Sequence, residues 1–426
     1  MEKQALPVLL ICIAILALDL YIFPRVRFGL KKWRFAQKKA FKITYWTLST
    51  VVTLGIFISI FARTGLGFRA AFMLVFFLMT LSKLLFLPFA LSDDIRRLIK
   101  WYRIKSQSAP PAEKTPSPNA IPRSEFLAKA GLLAGSLPLA GMVYGTVSGV
   151  YDYRVKHRKL YLPNLPKAFD GIKLGQISDI HSGSFYNKKA VTGGVELLMK
   201  EKPDFIFFTG DLVNIMANEM NNYQDIFSKV KAPLGVYSSL GNHDYGDYRF
   251  DWPSEAAKQK NFQDILDTHK NMGWDLLRNE NRRLKVGGEE IGILGVENWG
   301  SISRFGKRGR LDLATKSTDD LPVKLLLSHD PSHWRGQVLP EYKQIDVMFS
   351  GHTHGMQFGI RTENFQWSPI QYIYPEWAGH YREGDQQLYV NVGYGFLGYP
   401  GRLGILPEIT IFELKASADP SLQKKA

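Results

Sequence analysis

Cysteine is almost absent from this chain: its 426 residues contain one, Cys12, inside an apolar stretch near the amino terminus. No disulfide can tie the rest of the chain together, no thiol can act there as a nucleophile, and no cysteine metal site is available. A Walker-type phosphate loop and an evident internal repeat are missing too, and the Gly-rich stretch over 393–404 reads as turns around a sheet edge. Charge is missing from one long apolar run, residues 43–62. What these absences leave is chemistry by metal, acid and base.

The apolar runs define the first third of the chain. Residues 7–23, 43–62 and 70–91 are each long enough to cross a hydrocarbon core at about 1.5 Å per residue. Asp19 and Lys83 are the charged exceptions, and pairing between helices explains them better than a proton pathway. The net charge of +15 suggests nucleic acid until it is divided by region. Residues 1–159 hold 24 Lys and Arg against 7 Asp and Glu, leaving 30 against 32 for the remainder. The basic excess therefore belongs to the membrane part, with anionic headgroups as its partners, and nucleic-acid binding loses its support.

Basic residues crowd 25–42 and 96–105, which predicts that both stretches are cytoplasmic. A Gly- and Ala-rich run over 126–150 predicts a fourth crossing. The expected organisation is a three-helix transmembrane region over 1–106 and a Pro- and Ser-containing linker over 107–122. A fourth membrane segment with a basic connector follows over 123–159, then a catalytic domain over 160–415 and a flexible tail over 416–426. An integral protein of the inner or plasma membrane with its catalytic domain extracytoplasmic follows from the charge pattern.

The second half carries five short polar clusters: Asp179-Ile180-His181, Gly210-Asp211, Gly241-Asn242-His243-Asp244, Ser328-His329-Asp330 and Gly351-His352-Thr353-His354. Apolar runs lead into four of them, over 172–178, 205–209, 323–327 and 345–350, and such runs read as buried parallel strands. Ligands just past the carboxyl ends of parallel strands converge on one crevice. Any one cluster alone reads more simply as a turn or helix cap. Five of the nine histidines fall in these clusters, however, which weighs against coincidence. The other four, His157, His269, His333 and His380, read as structural or surface residues, with His333 packing a short helix. Four imidazoles, two aspartates and one asparagine suit a transition-metal pair better than magnesium or calcium.

The order and wording of the clusters, from about Lys173 to Leu414, resemble the calcineurin-like metallophosphoesterase superfamily. The resemblance implies two divalent metal ions, Mn, Fe, Zn or Co. Asp179, His181, Asp211 and His354 would hold one, and Asp211, Asn242, His329 and His352 the other, with Asp211 as the bridge. It leaves His243 and Asp244 for catalysis, the carboxylate orienting the imidazole. The implied reaction is attack of metal-bound hydroxide on a phosphate ester. Arg402 matches a basic residue of the family's closing Gly-X-Pro-X-Arg-like segment and is expected to contact substrate phosphate. The implied fold is an α/β four-layer αββα sandwich, here preceded by the α-helical transmembrane region.

Within that domain, helices are expected over 188–200, 223–231 and 261–272, a hairpin over 283–296, and late strands over 388–392 and 408–414 completing the second sheet. An aromatic stretch running from Phe365 past Trp377 to Tyr399 reads as a lid or a membrane-touching flap, and a lipid-linked substrate follows from the second reading. Two rivals stand beside this one. A UDP-diacylglucosamine-type pyrophosphatase would need the catalytic domain on the cytoplasmic face, and a non-catalytic membrane scaffold would show no metal-dependent turnover.

Overall fold

The computed structural model describes residues 2–61, 66–106, 121–302, 305–362 and 364–417. The linker expected over 107–122 and the tail expected over 416–426 lie outside these residues, apart from 121, 122, 416 and 417. Two compact units are formed, Met1–Val143 and Tyr144–Ala426.

The first unit is helical: α1 (Glu2–Gly29), α2 (Arg34–Gln37), α3 (Lys39–Phe61), α4 (Leu66–Ser106) and most of α5 (Arg123–Val147). Four of these helices are long and apolar enough to cross a membrane, and they contain Leu6–Gly29, Lys39–Ile58, Val75–Lys105 and the stretch beginning at Arg123. Apolar side chains such as Leu10, Leu20, Leu54 and Leu133 face outward, at 54–68% exposure, as expected of helices solvated by lipid rather than water. Inside the unit, the Asp19 carboxylate accepts hydrogen bonds from Tyr45 (2.6 Å) and Ser49 and pairs with Lys83 at 2.7 Å. The two charged exceptions of the sequence are thus each other's partner.

The second unit is built on two six-stranded sheets. One runs in the order β1 (Arg154–Tyr161), β14 (Glu408–Lys415), β2 (Lys173–Ile177), β3 (Phe205–Phe208), β4 (Val236–Ser238) and β5 (Asp275–Leu276). The other runs in the order β12 (Gly379–Glu383), β13 (Gln386–Val390), β9 (Val347–Ser350), β8 (Lys324–Leu327), β7 (Glu289–Gly295) and β6 (Glu280–Val286). A short ribbon pairs β10 (Ile360–Arg361) with β11 (Gln366–Trp367).

Strand alternation explains the layers. Phe205 and Phe207 of β3 share one buried cluster with Leu325 and Leu327 of β8 and Val347 and Phe349 of β9, so these faces meet between the sheets. Ile206 and Phe208 turn the other way, toward α6 (Lys188–Lys200), α7 (Gln224–Phe227) and α8 (Glu255–Met272). Leu326 and Met348 pack outward against Leu311, Trp334 and Val338. Both faces of each central strand are buried, which is why the runs read as continuously apolar, and the arrangement is the four-layer αββα sandwich.

Several local expectations change. Glu408–Lys415 does not complete the second sheet; it lies in the first, between β1 and β2. The stretch read as a basic connector is β1, paired in parallel with β14 from Arg154 opposite Glu408 to Tyr161 opposite Lys415. Its exposed Arg and Lys face water from a sheet edge, where charge discourages edge-to-edge association. The helix expected over 223–231 shrinks to α7, after a 3-10 turn at Ala217–Asn222, while α8 begins earlier, at Glu255.

Candidate metal centre

Each cluster leaves the carboxyl end of a strand. Asp179 and His181 follow β2, Asp211 follows β3, Asn242 and His243 follow β4, His329 follows β8, and His352 and His354 follow β9. The turns that carry them are sharp. Asp179, His181, Asp211, His352 and His354 all have positive φ, between 48° and 73°, a region that costs a non-glycine residue about 1–3 kcal/mol and persists only where surrounding contacts impose it. Those contacts include glycines that let chains approach the carboxylates. A Cβ on Gly351 would lie 2.1 Å from Asp179 Oδ2, and one on Gly241 2.1 Å from Asp211 Oδ1.

Two groups of donor atoms result, Asp179–His181–His354 and Asp211–His329–His352. The Asp211 carboxylate joins them, with its Oδ2 3.1 Å from His329 Nε2 and 3.4 Å from His181 Nε2. Asp179 Oδ1 lies 3.2 Å from His354 Nε2. None of the imidazole nitrogens His181 Nε2, His329 Nε2 and His354 Nε2 has a hydrogen-bond partner among the described residues, and neither does Asn242 Oδ1, although all are buried. Unsatisfied buried polar atoms are costly. Orphaned lone pairs converging on shared carboxylates are what a cation site needs.

The surrounding bonds select the matching tautomers. His329 Nδ1 lies 2.7 Å from the Thr209 carbonyl, and because a carbonyl only accepts, Nδ1 carries the proton and the Nε2 lone pair is free for a metal, the usual outer arrangement of a ligating histidine. His352 Nε2 meets the Tyr374 hydroxyl at 2.9 Å, and that hydroxyl donates to Asp330 at 3.3 Å. Asn242 donates its amide N–H to the Tyr248 hydroxyl at 2.7 Å. Burial opposes ionisation of Asp211, yet His329 and His243 hold its carboxyl well below the usual range. Burial alone would lower His329, but Asp211 raises it to about 10, so the site is charged in a way that a divalent ion would replace.

His243 stands beside both groups. Its ring lies edge-on to His181 at 4.9 Å and stacks on Tyr248 at 4.3 Å, and its Nδ1 lies 2.6 Å from the Asn214 carbonyl. Burial pushes it down to about 4. Asp244 does not orient this ring as the sequence suggested. Its carboxylate instead accepts backbone N–H groups of Gly241 (2.8 Å), Asp211 (3.0 Å) and Leu212 (2.9 Å), and binds the β4 turn to the β3 turn. Arg402 also departs from expectation. It is fully buried, and its guanidinium donates to the carbonyls of Gly395, Val392 and Ile405. It reaches the site from behind, with Nη2 3.1 Å from His354 Nδ1, so it braces the centre and has no open face for substrate.

Of the other histidines, His333 is buried between Ser328, Gln337 and the Trp299 ring, His269 is buried beside Ser238, and His157 pairs with Glu201 at the surface. His380 bonds Gln387. Tyr248, Tyr374 and the carbonyls of Thr209 and Asn214 went unrecognised in the sequence. Tyr374 lay in a noted aromatic stretch, but carbonyl partners leave no trace in residue type.

Comparison with known proteins agrees with this geometry. Residues 172–356 match the family described as "Calcineurin-like phosphoesterase", and residues 4–150 match "Probable Calcineurin-like phosphoesterase, transmembrane domain". The metallophosphoesterase YkuE of Bacillus subtilis is 28% identical over 67% of this chain and 95% of its own length. A Danio rerio transmembrane protein with a metallophosphoesterase domain is 26% identical over 64% of this chain, a match spanning 60% of the fish protein. The Escherichia coli phosphodiesterase YaeI is 24% identical over 61% of this chain and 87% of its length.

Proposed function

This chain belongs to the calcineurin-like metallophosphoesterases, a family of hydrolases, and from that premise we propose that it cleaves a phosphate ester with two divalent ions held by its own residues. Asp179, His181, Asp211 and His354 would hold one, and Asp211, Asn242, His329 and His352 the other. The observation that carries this reading is the Asp211 carboxylate, which lies between His181 Nε2 and His329 Nε2, both buried and without a hydrogen-bond partner among the described residues. Mixed nitrogen and oxygen donors favour Mn, Fe, Zn or Co.

When bound, such a pair supplies a water of lowered pKa and positive charge against the phosphoryl oxygens. The chain's residues do the rest. His243, with Nδ1–H fixed on the Asn214 carbonyl, keeps the Nε2 lone pair, which takes up a proton before it can pass one to the leaving oxygen. Asp244 holds the turns bearing Asp211 and Asn242 in register, and Tyr374 fixes His352 against Asp330. The name of the Escherichia coli relative makes a diester the first substrate class to try. A panel of phosphomonoesters and phosphodiesters, run on the purified full chain with Mn, Zn, Fe, Co and Mg, tests the reading. Metal-dependent turnover lost on chelation and restored by one of these ions is expected, and turnover indifferent to chelation overturns it.

We also read the second unit as extracytoplasmic and its substrate as lipid-linked. The basic residues flanking α1, α3 and α4 favour a cytoplasmic 25–42 stretch, and a crossing by α5 would then carry the catalytic unit outside. A reporter active only outside the cytoplasm should work when fused after Ala426 and stay silent when inserted within 25–42. The opposite pattern would put the enzyme on the inner face.

A further inference from the structure

The last turn of the fourth apolar helix is part of the catalytic unit and leads by short steps to the metal centre. Gly145 O accepts from Arg402 N at 3.2 Å, and Thr146 O accepts from the Tyr186 hydroxyl at 2.6 Å. Gly149 has no room for a side chain, since a Cβ there would lie 2.0 Å from the Arg402 carbonyl. On its other side the 399–403 segment is bound to the loop after His354. Gln357 donates to the carbonyls of Tyr399 and Gly401, Leu403 N donates to Gln357 O at 2.8 Å, and Gly359 N donates to Leu403 O at 3.0 Å. The point where the chain leaves its membrane helix is therefore joined, through one segment, to the residues that begin at Met356.

Those residues are unusually apolar for a surface. Met356, Ile360, Phe365, Tyr372 and Ile373 are 51–77% exposed. Ile360 lies opposite Trp367 across the β10–β11 ribbon, and Phe365, two residues before Trp367, takes the same face by strand alternation. The opposite face carries Arg361, which is committed to the buried Glu408 carboxylate. From Met356 to Pro375 the sequence holds only two charged residues, Arg361 and Glu363. Exposed aromatic and aliphatic groups with polar tips, grouped beside the end of a membrane helix, match the side chains that settle at a bilayer's headgroup boundary.

We propose that the 356–373 flap lies on the bilayer surface beside the exit of α5, and that the neighbouring centre takes phosphate esters whose leaving or retained group is anchored in that bilayer. The second half of this statement rests on the hydrolase reading above, and the first does not. An enzyme so placed would meet its substrate at the headgroup plane without lifting the acyl chains into water, a transfer whose cost grows with every methylene exposed.

The test uses the full chain in proteoliposomes of phosphatidylethanolamine and phosphatidylglycerol. Because Cys12 is the only cysteine, Cys12→Ser with Phe365→Cys gives a single labelling site on the flap. Cys12→Ser with Asp319→Cys gives a control on an exposed turn. A fluorophore at 365 should be quenched by dibrominated acyl chains and protected from aqueous iodide, and the one at 319 should show the reverse. Equal iodide quenching at both sites overturns the membrane contact, whether or not the protein turns over any ester. In the kinetic arm, Ile360→Glu, Phe365→Glu and Tyr372→Glu are combined. Turnover of hexadecyl p-nitrophenyl phosphate in the vesicles should fall about tenfold or more, the effect of roughly 1.4 kcal/mol of lost interfacial binding, while soluble bis-p-nitrophenyl phosphate is cleaved as before. Equal effects on both substrates overturn the lipid-substrate half. No cleavage of either by the unsubstituted chain, with normal quenching at 365, overturns the hydrolase reading alone.

Discussion

Two regions of this molecule bury charge, and they do so to opposite ends. Among the apolar helices, Asp19 has both oxygens occupied, by Tyr45, Ser49 and Lys83. In the catalytic unit, Asp179 and Asp211 are just as deeply buried, yet the imidazoles around them keep nitrogen atoms with no hydrogen-bond partner among the described residues. The first arrangement is complete as it stands. The second is a set of donors on strained turns, gathered as a metal ion would need them. A satisfied buried charge points to architecture, and an unsatisfied one to a ligand.

The comparison breaks most visibly at Asp211. Asp211→Ala should abolish turnover and lower the bound metal measured by elemental analysis, with the far-ultraviolet circular dichroism of the chain unchanged. Retention of full activity would remove the shared carboxylate from the mechanism. His243→Ala should act differently, lowering turnover by roughly 10²–10⁴, the usual range for a lost general acid or base, with metal content preserved. Loss of metal in that variant would make the histidine a ligand.

Among the helices the expected effect is on stability alone. Asp19→Asn or Lys83→Met leaves an uncompensated charge or half a pair, at a cost of about 3–5 kcal/mol. The double variant Asp19→Asn/Lys83→Met should melt closer to the unsubstituted chain than Lys83→Met does. Thermal unfolding of the detergent-solubilised chain reads this, and strictly additive losses would mean that the two side chains do not act as a pair. Metal content and turnover of the folded fraction should not change.

Much of this was legible in the sequence, for identifiable reasons. The residues now gathered around Asp211 announced themselves because polar clusters of unusual composition followed apolar runs, and strands buried on both faces have no alternation to confuse them with surface strands. Partnership was less legible. Glu408–Lys415 reads as a strand, but nothing in its residues says which sheet it joins. Arg154–Tyr161 looked like a basic connector because an edge strand keeps one flank in water and its composition follows the water. Asp244 and Arg402 were misread for a common reason. Both spend their side chains on backbone groups, and a charged residue serving the main chain looks the same in sequence as one serving a substrate.

The pairing of β1 with β14 sets an order of events for the nascent chain. β1 follows the last apolar helix, yet its neighbour among the described residues, β14, is made after every other strand of that sheet and also separates it from β2. The first sheet cannot close before Glu408–Lys415 is made, so β1 and β2 must wait as open edges until that strand arrives between them. Chains stalled or truncated before Glu408 would carry a membrane anchor joined to an unclosed sheet, the kind of exposed edge that aggregates and that quality-control proteases find.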